Sequence, residues 1–256
     1  MKIYKHSGTL GDLIYSLSIV KKMAQNDVLF KVAIGNIENC VAQYGYRPDE
    51  VAPEHRGRFT EQDFEWLLPL LRRQPYIESV GRWYPGELEA DVDLDRFRGT
   101  LFRGFEGNYV QAYHLAFNLP FKLSDYDTPW LEADPVITKP IVVSRTSRYR
   151  DLQAGDAYWQ SIVADADLAN NGIFVGTAAE HQDFETTMGI TIPYHPVKDF
   201  LELANVVAGA DLVMANQNFV YSLAMGLGKD TVLETIKIKP LQNNECFFPR
   251  TNCQYF

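Results

Sequence analysis

Lys2-Ile3-Tyr4-Lys5-His6-Ser7-Gly8-Thr9-Leu10-Gly11-Asp12 is the stretch that decides how the chain is read. Residues 2–5 form a strand-like run. Gly8 and Gly11, three apart, let the backbone turn sharply and leave room for a ligand to come close. From Leu13 onward, apolar residues fall at 13, 14, 17 and 20, the spacing of a helix face. The stretch predicts strand, tight loop and helix, with Asp12 in the first helical turn. Unpaired amides at a helix start attract anions, and a carboxylate there can act on a bound ligand. The same residues also suit an ordinary βα turn in which Asp12 only complements the helix dipole. The glycines lack the spacing of a dinucleotide fingerprint, and no lysine completes a Walker A loop.

The strand–helix rhythm set by this stretch returns in the second half. Short apolar runs at 141–144, 172–176, 190–194, 211–215 and 231–234 alternate with helical spacing at 156–168, 178–188, 199–207 and 220–227. That alternation predicts a parallel, doubly wound α/β sheet. In the first half, strands at 28–34, 77–80 and 91–95 and helices at 12–25, 61–73 and 107–119 surround a Pro-, Gly-, Arg- and Glu-rich insertion at 45–60. The proline-bearing segment 128–140 is the candidate linker. The division predicts a first Rossmann-like domain over 1–134, a second over 135–240, and a tail over 241–256 that packs back on the first. Both domains fall in the usual size range.

Composition narrows the classes. The chain has 256 residues, of which 46% are hydrophobic and 13% aromatic, enough for a real core and against intrinsic disorder. A net charge of −9 disfavours broad binding to nucleic acid or anionic membrane. Cys40, Cys246 and Cys253 form neither a disulfide framework nor a zinc site. The polar start is unlike a secretory signal, and no apolar run reaches membrane-spanning length. These features predict a cytoplasmic protein.

In open parallel sheets ligands bind beyond the carboxyl ends of the strands, so the loops there are the places to look for chemistry. After the strand at 141–144 comes Arg145-Thr146-Ser147-Arg148-Tyr149-Arg150, whose arginines and hydroxyls suit a phosphate or diphosphate, or equally a solvated basic loop paired with Asp151 and Asp156. Gly176 and Thr177 lead into a helix start near Glu180, placed to hold a phosphate and a ribose hydroxyl pair. Asn216-Gln217-Asn218 offers neutral donors and acceptors for sugar hydroxyls, although one Asn suits a helix cap. Asp91, Asp93 and Asp95 share a strand face, where a cation or solvent would be accommodated. His6 ends the first strand beside the glycine loop, as a substrate contact or a structural histidine. The remaining histidines lack metal-ligand spacing, so no metal is expected.

As an ordered set, these segments resemble the heptosyltransferase group of glycosyltransferases, family nine. The match runs through Ser7-Gly8-Thr9-Leu10-Gly11-Asp12 with its helix, the basic loop at 145–150, Val175-Gly176-Thr177 with Glu180, and Ala210-Asp211-Leu212-Val213-Met214-Ala215-Asn216-Gln217-Asn218. It is thin between 36 and 135. The resemblance implies a GT-B fold, two Rossmann-like α/β domains facing across a cleft. It implies a glycosyltransferase that moves a sugar from a nucleotide-sugar donor to an acceptor hydroxyl, inverting and metal-independent, with no cofactor. Asp12 matches the family's candidate general base. Gly8, Thr9, Gly11, Arg145, Thr146, Arg148, Gly176, Thr177, Glu180, Asn216, Gln217 and Asn218 fall on the donor side, with Arg145 and Arg148 on the diphosphate. Residues 216–218 carry amides where the family usually has an acid and a histidine. The acceptor is a saccharide, a lipid-linked sugar or a modified base in DNA, the last through Arg47, Arg56, Arg58, Arg72 and Arg73 and against the net charge. A non-catalytic nucleotide-sugar binding protein is the competing class.

Overall fold

The computed structural model describes residues 1–24, 27–34, 59–84, 87, 89–101, 105–150, 154–235 and 246–256. Arg47, Arg56, Arg58 and Cys40 lie outside these residues. The chain divides into two compact units, Met1–Lys122 and Leu123–Phe256. The boundary therefore falls ahead of the proline-bearing linker expected from sequence, which belongs to the second unit.

In the first unit, β1 (Lys2–His6) leads into α1 (Leu10–Met23), then β2 (Val28–Ala33). After these come α2 (Glu61–Arg72), β3 (Ser79–Trp83) and β4 (Val92–Asp93). A 3-10 turn at Leu94–Phe97 runs straight into α3 (Arg98–Leu101), and α4 (Tyr109–Ala116) follows. The four strands are parallel, in the order β3-β2-β1-β4. Central β1 buries Tyr4, Lys5 and His6 in succession, as a strand covered on both faces must. Thr9 caps α1 by accepting from the Asp12 amide at 3.4 Å, and Leu13 to Val20 are all buried. The apolar spacing predicted one buried face. Small Ser16 and Ser18 let the other face be covered as well, each donating its hydroxyl to a carbonyl one turn back at 2.7 Å. Tyr15 stacks on Tyr109 of α4 with ring centroids 4.9 Å apart.

In the second unit, β5 (Ile141–Ser144), α5 (Ala154–Asp165), α6 (Leu168–Asn171), β6 (Gly172–Phe174) and α7 (Ala178–Met188) follow one another. Then come α8 (Phe200–Gly209), β7 (Leu212–Asn216), α9 (Phe219–Gly226), β8 (Asp230–Glu234) and β9 (Cys253–Tyr255). The order is β6-β5-β7-β8-β9, again all parallel. Its core includes Val143, Trp159, Phe174, Phe184 and Met214. Two details depart from the sequence reading. The run at 190–194 makes a single bridge, Tyr194 to Phe174, instead of a strand. The end of the tail is a strand of the second unit, since Cys253, Gln254 and Tyr255 pair with Thr231, Val232 and Leu233.

Candidate functional site

Strand order marks one corner in each sheet. In the first unit the chain moves outward from β1 through β2 to β3, then returns to the other side of β1 as β4. In the second it goes from β5 to β6, then to the other side of β5 as β7. Crevices at the carboxyl ends of such strand pairs are the usual ligand sites of open α/β sheets. The β1/β4 corner holds Gly8 and Asp12, and the β5/β7 corner holds Arg145 and Asn216.

At the β1/β4 corner a chain of contacts fixes Asp12 from two sides. Arg98, the first residue of α3, places Nη2 2.7 Å from Asp12 Oδ2, with its Nε 3.8 Å from Asp95 Oδ1. Asp95 is fully buried and accepts from the Ser7 amide at 3.1 and 3.2 Å and from the Ser7 hydroxyl at 2.6 Å. Lys5 adds positive charge, 3.1 Å from Asp93 and 3.8 Å from Asp95. On the other side, His6 Nδ1 accepts from the Gly8 amide at 3.0 Å. The ring proton therefore sits on Nε2, which donates to the Tyr113 hydroxyl at 2.9 Å. Tyr113 passes its own proton to the main-chain carbonyl of Asp12, also at 2.9 Å.

These contacts set the charges. Burial drives the His6 imidazole down to about 4, so it is neutral at physiological pH. Burial alone would raise Asp95, but His6 once its ring is protonated, and at every pH Arg98, the Ser7 hydroxyl and Lys5, hold it below the usual carboxylate range. Burial opposes the Arg98 charge, and Asp12 and Asp95 more than offset that, keeping the guanidinium protonated. Burial, helped by Asp12, pushes the Tyr113 phenol well up, so it stays a donor. Gly8 is required by crowding. A Cβ there would lie 2.1 Å from Arg98 Nη2 and 2.7 Å from His6 Cε1.

The acidic run is also accounted for. Asp91 accepts from the Ile3 amide at 2.7 Å, and Asp93 from the Asp95 amide at 3.1 Å. Among the described residues no group of three or more His, Cys, Asp or Glu is placed to hold a metal.

At the β5/β7 corner the expected donor residues do different work. Arg145 was expected to meet a diphosphate, but its guanidinium is completely buried. Nε and Nη2 each lie 2.7 Å from Glu234, and Nη1 lies 2.6 Å from Asp156. Trp159 Nε1 donates to the same Glu234 at 2.9 Å. A Cβ on Gly155 would fall 2.3 Å from Glu234 Oε1, so that glycine makes room for the cluster. Glu180, expected at a ribose, closes a capping box instead. Its Oε2 accepts from the Thr177 amide at 2.8 Å and hydroxyl at 2.9 Å, while Thr177 Oγ1 accepts from the Glu180 amide. Gly176 before them has φ +145°, which its lack of a side chain permits.

The amide run divides its labour. Asn218 caps α9, accepting from the Tyr221 amide at 3.0 Å, and its NH2 reaches Ser144. Asn216 is buried and clasps the basic loop. Its Oδ1 accepts from the Thr146 amide at 3.0 Å, and its NH2 donates to the carbonyls of Thr146 at 3.0 Å and Arg148 at 2.6 Å. An acid there could not donate, which explains why an amide stands in that place. Gln217 is partly exposed beside them. Of the loop's arginines, Arg150 pairs with Asp183. Arg148 is exposed, lying over the Tyr149 ring at 4.9 Å and donating to its hydroxyl. Tyr149 sits at φ 54°, a left-handed conformation that turns the loop beneath Arg148.

Sequence reasoning placed Asp12 and the amide run at strand ends and offered Asp156 as a partner of the basic loop, but missed Arg98, Tyr113 and Glu234. Arg98 is 86 positions from Asp12 and Tyr113 is 101, so no local pattern joins them. The one available signal was Arg98 three residues after Asp95 in an acidic run.

No family model and no curated protein matches the sequence. Solved structures match the fold. An E. coli heptosyltransferase WaaC with ADP-2-deoxy-2-fluoro heptose aligns over 99% of this chain and 92% of its own, at TM-score 0.51 and 11% identity. A glycosyl transferase family 9 protein from Veillonella parvula aligns over 99% and 84%, at 0.55 and 10%. E. coli ADP-heptose heptosyltransferase II aligns over 100% and 90%, at 0.50 and 10%. The likeness shows the fold: two Rossmann-like α/β units in one chain, of the GT-B type. No helix among the described residues is long and apolar enough to cross a membrane.

Proposed function

We propose that the protein is a glycosyltransferase of the heptosyltransferase type, with Asp12 as the base that deprotonates an acceptor hydroxyl. The observation that carries this is the state of the Asp12 carboxylate. It stands in the first turn of α1 at the β1/β4 corner, with Oδ2 taken by Arg98. Among the described residues, Oδ1 accepts no hydrogen bond. One carboxylate oxygen is thus locked and the other is left for substrate.

The reaction is a single displacement. Oδ1 takes the acceptor proton, the acceptor oxygen bonds to the anomeric carbon, and the bond from that carbon to the donor diphosphate breaks. One attack from the opposite face inverts the anomeric centre. Base catalysis of this kind contributes typically about 10²–10⁴-fold. The donor is assigned to the second unit, on the crest formed by Thr146, Arg148, Gly176 and Gln217, where Arg148 and main-chain amides meet leaving-group charge without a metal. Arg145, Thr177, Glu180, Asn216 and Asn218 build that crest. Gly8, Thr9 and Gly11 shape the turn that presents Asp12.

ADP and ADP-sugars are the first probes, because the similar WaaC structures carry ADP and an ADP-heptose analogue. A donor at 100 times its dissociation constant adds about 2.7 kcal/mol of stability, visible as a thermal shift. Turnover read as nucleoside diphosphate release should fall at least about tenfold in Asp12→Asn while donor affinity is kept. Unchanged turnover in that variant would make the protein a binder or move the base elsewhere. A retained product anomer would rule out the single displacement, and loss of activity in chelator would rule out metal independence.

A further inference from the structure

We infer that Arg98 is a positioning residue for Asp12: it pins one carboxylate oxygen so that the other faces the acceptor. The inference rests on the transferase reading. Its geometry is that of a bridge between a fixed acid and a working one. Asp95 is immobile, completely buried and bound by the Ser7 amide and hydroxyl. Arg98 Nε leans on it at 3.8 Å, and Nη2 reaches Asp12 Oδ2 at 2.7 Å.

Two further observations separate this arrangement from a surface ion pair. The guanidinium runs over Gly8 so closely that any side chain there would collide with it, so the turn is built around Arg98. The main chain of Asp12 is held independently, through its carbonyl, by Tyr113 and behind it His6. Asp12 is therefore fixed at both the backbone and one side-chain oxygen.

During transfer the acceptor O–H bond breaks and its proton settles on Asp12 Oδ1. The hydrogen bond from Arg98 to Oδ2 persists, so the carboxyl plane does not rotate. Loss of that constraint should reduce the chemical step, since small misplacements of a reacting group cost up to about 10²-fold.

A double-mutant cycle on turnover tests it, using the full chain and the ADP-sugar or other donor identified by thermal shift. Arg98→Gln should lower kcat about 10- to 100-fold and leave donor KM within about twofold. In the Asp12→Asn background the same change should cost almost nothing further, because no base remains to be positioned. Arg98→Lys, which keeps charge and fold, should recover part of the rate. Gly8→Ala should resemble Arg98→Gln. Equal fractional losses in both backgrounds, or a loss confined to donor KM, would overturn the assignment and leave the transferase reading standing. Absence of turnover in the parent protein with every donor would sink that reading, and the role of Arg98 with it.

Discussion

The two sheets turn the same topological corner and fill it in opposite ways. At β1/β4 a charged pair keeps a narrow exposed edge beside the fully buried Asp95: Asp12 and Arg98 retain 9% and 19% of their side-chain area. At β5/β7 the ion pair is sealed, with Arg145 and Glu234 both at 0%, and buried Asn216 clasps the neighbouring loop. Charge in the first corner is the one proposed to meet the acceptor. The buried charge of Arg145 in the second sets the shape of a loop. An arginine in such a corner therefore says little until its carboxylates are known: Arg145 is a sealed strut, and Arg98 is the one proposed to position a base.

The comparison breaks most readily at Arg145. Replacing it by Met leaves Glu234 without its cation in a dry site, with the partly exposed Asp156 at its edge, which should cost about 3–5 kcal/mol in chemical denaturation. Donor binding should weaken only as far as the crest loosens. If Arg145→Met kept its stability and lost the donor, Arg145 would be a ligand after all and the contrast between the corners would vanish.

How far these corners were legible in the sequence follows from the range of the contacts. The βα alternation rests on runs of apolar residues within one element, and those are local, so the parallel sheets could be read. Asp12 was legible for the same reason: glycine turn, cap and helix lie within a few residues. Strand β9 was not, because Cys253–Tyr255 is short, only partly buried and paired with a strand that carries no matching signal. For Arg145, clustering with Arg148 and Arg150 suggested a diphosphate; the alternative pairing with Asp156 is what the structure contains, and Glu234, 89 positions away, lay beyond any local pattern. Glu180 shows the reverse. Thr177 and Glu180 have the spacing of a capping box, a local pattern that the ribose expectation passed over.

His6 sharpens the contrast by pH. Its folded value of about 4 lies below the ordinary 6.5, so protons bind the unfolded chain more tightly. Stability from this group is complete above about pH 6.5 and is lost progressively as pH falls to about 4, a total of about 3 kcal/mol. Lys5 and Arg98 face the ring and oppose its protonation, while Asp95 and Asp12 favour it. Asp95 acts in a separate window, because its lowered value removes stability only below the ordinary carboxylate range. Urea titrations between pH 7 and 4 should show the first slope in the parent protein and a flatter one in His6→Gln. Equal slopes in the two proteins would mean that the His6 ring is not buried neutral.

The smallest expected effect is at Asn216, and it bears on the second corner alone. In Asn216→Asp the Thr146 amide keeps an acceptor, but the carbonyls of Thr146 and Arg148 lose their donor and face a carboxylate. Two lost hydrogen bonds, at about 0.5–1.5 kcal/mol each, predict a loss of about 1–3 kcal/mol. The loop carrying Arg148 should loosen with them, and the thermal shift produced by the donor should shrink. Asn216→Ala removes the acceptor of the Thr146 amide as well and adds no repulsion, so an aspartate variant less stable than the alanine one would expose the cost of the charge. If the aspartate variant instead bound donor more tightly at unchanged stability, Asn216 would be touching the ligand. The β5/β7 corner would then be a chemical site like its counterpart, with its amides chosen for the sugar and not for the loop.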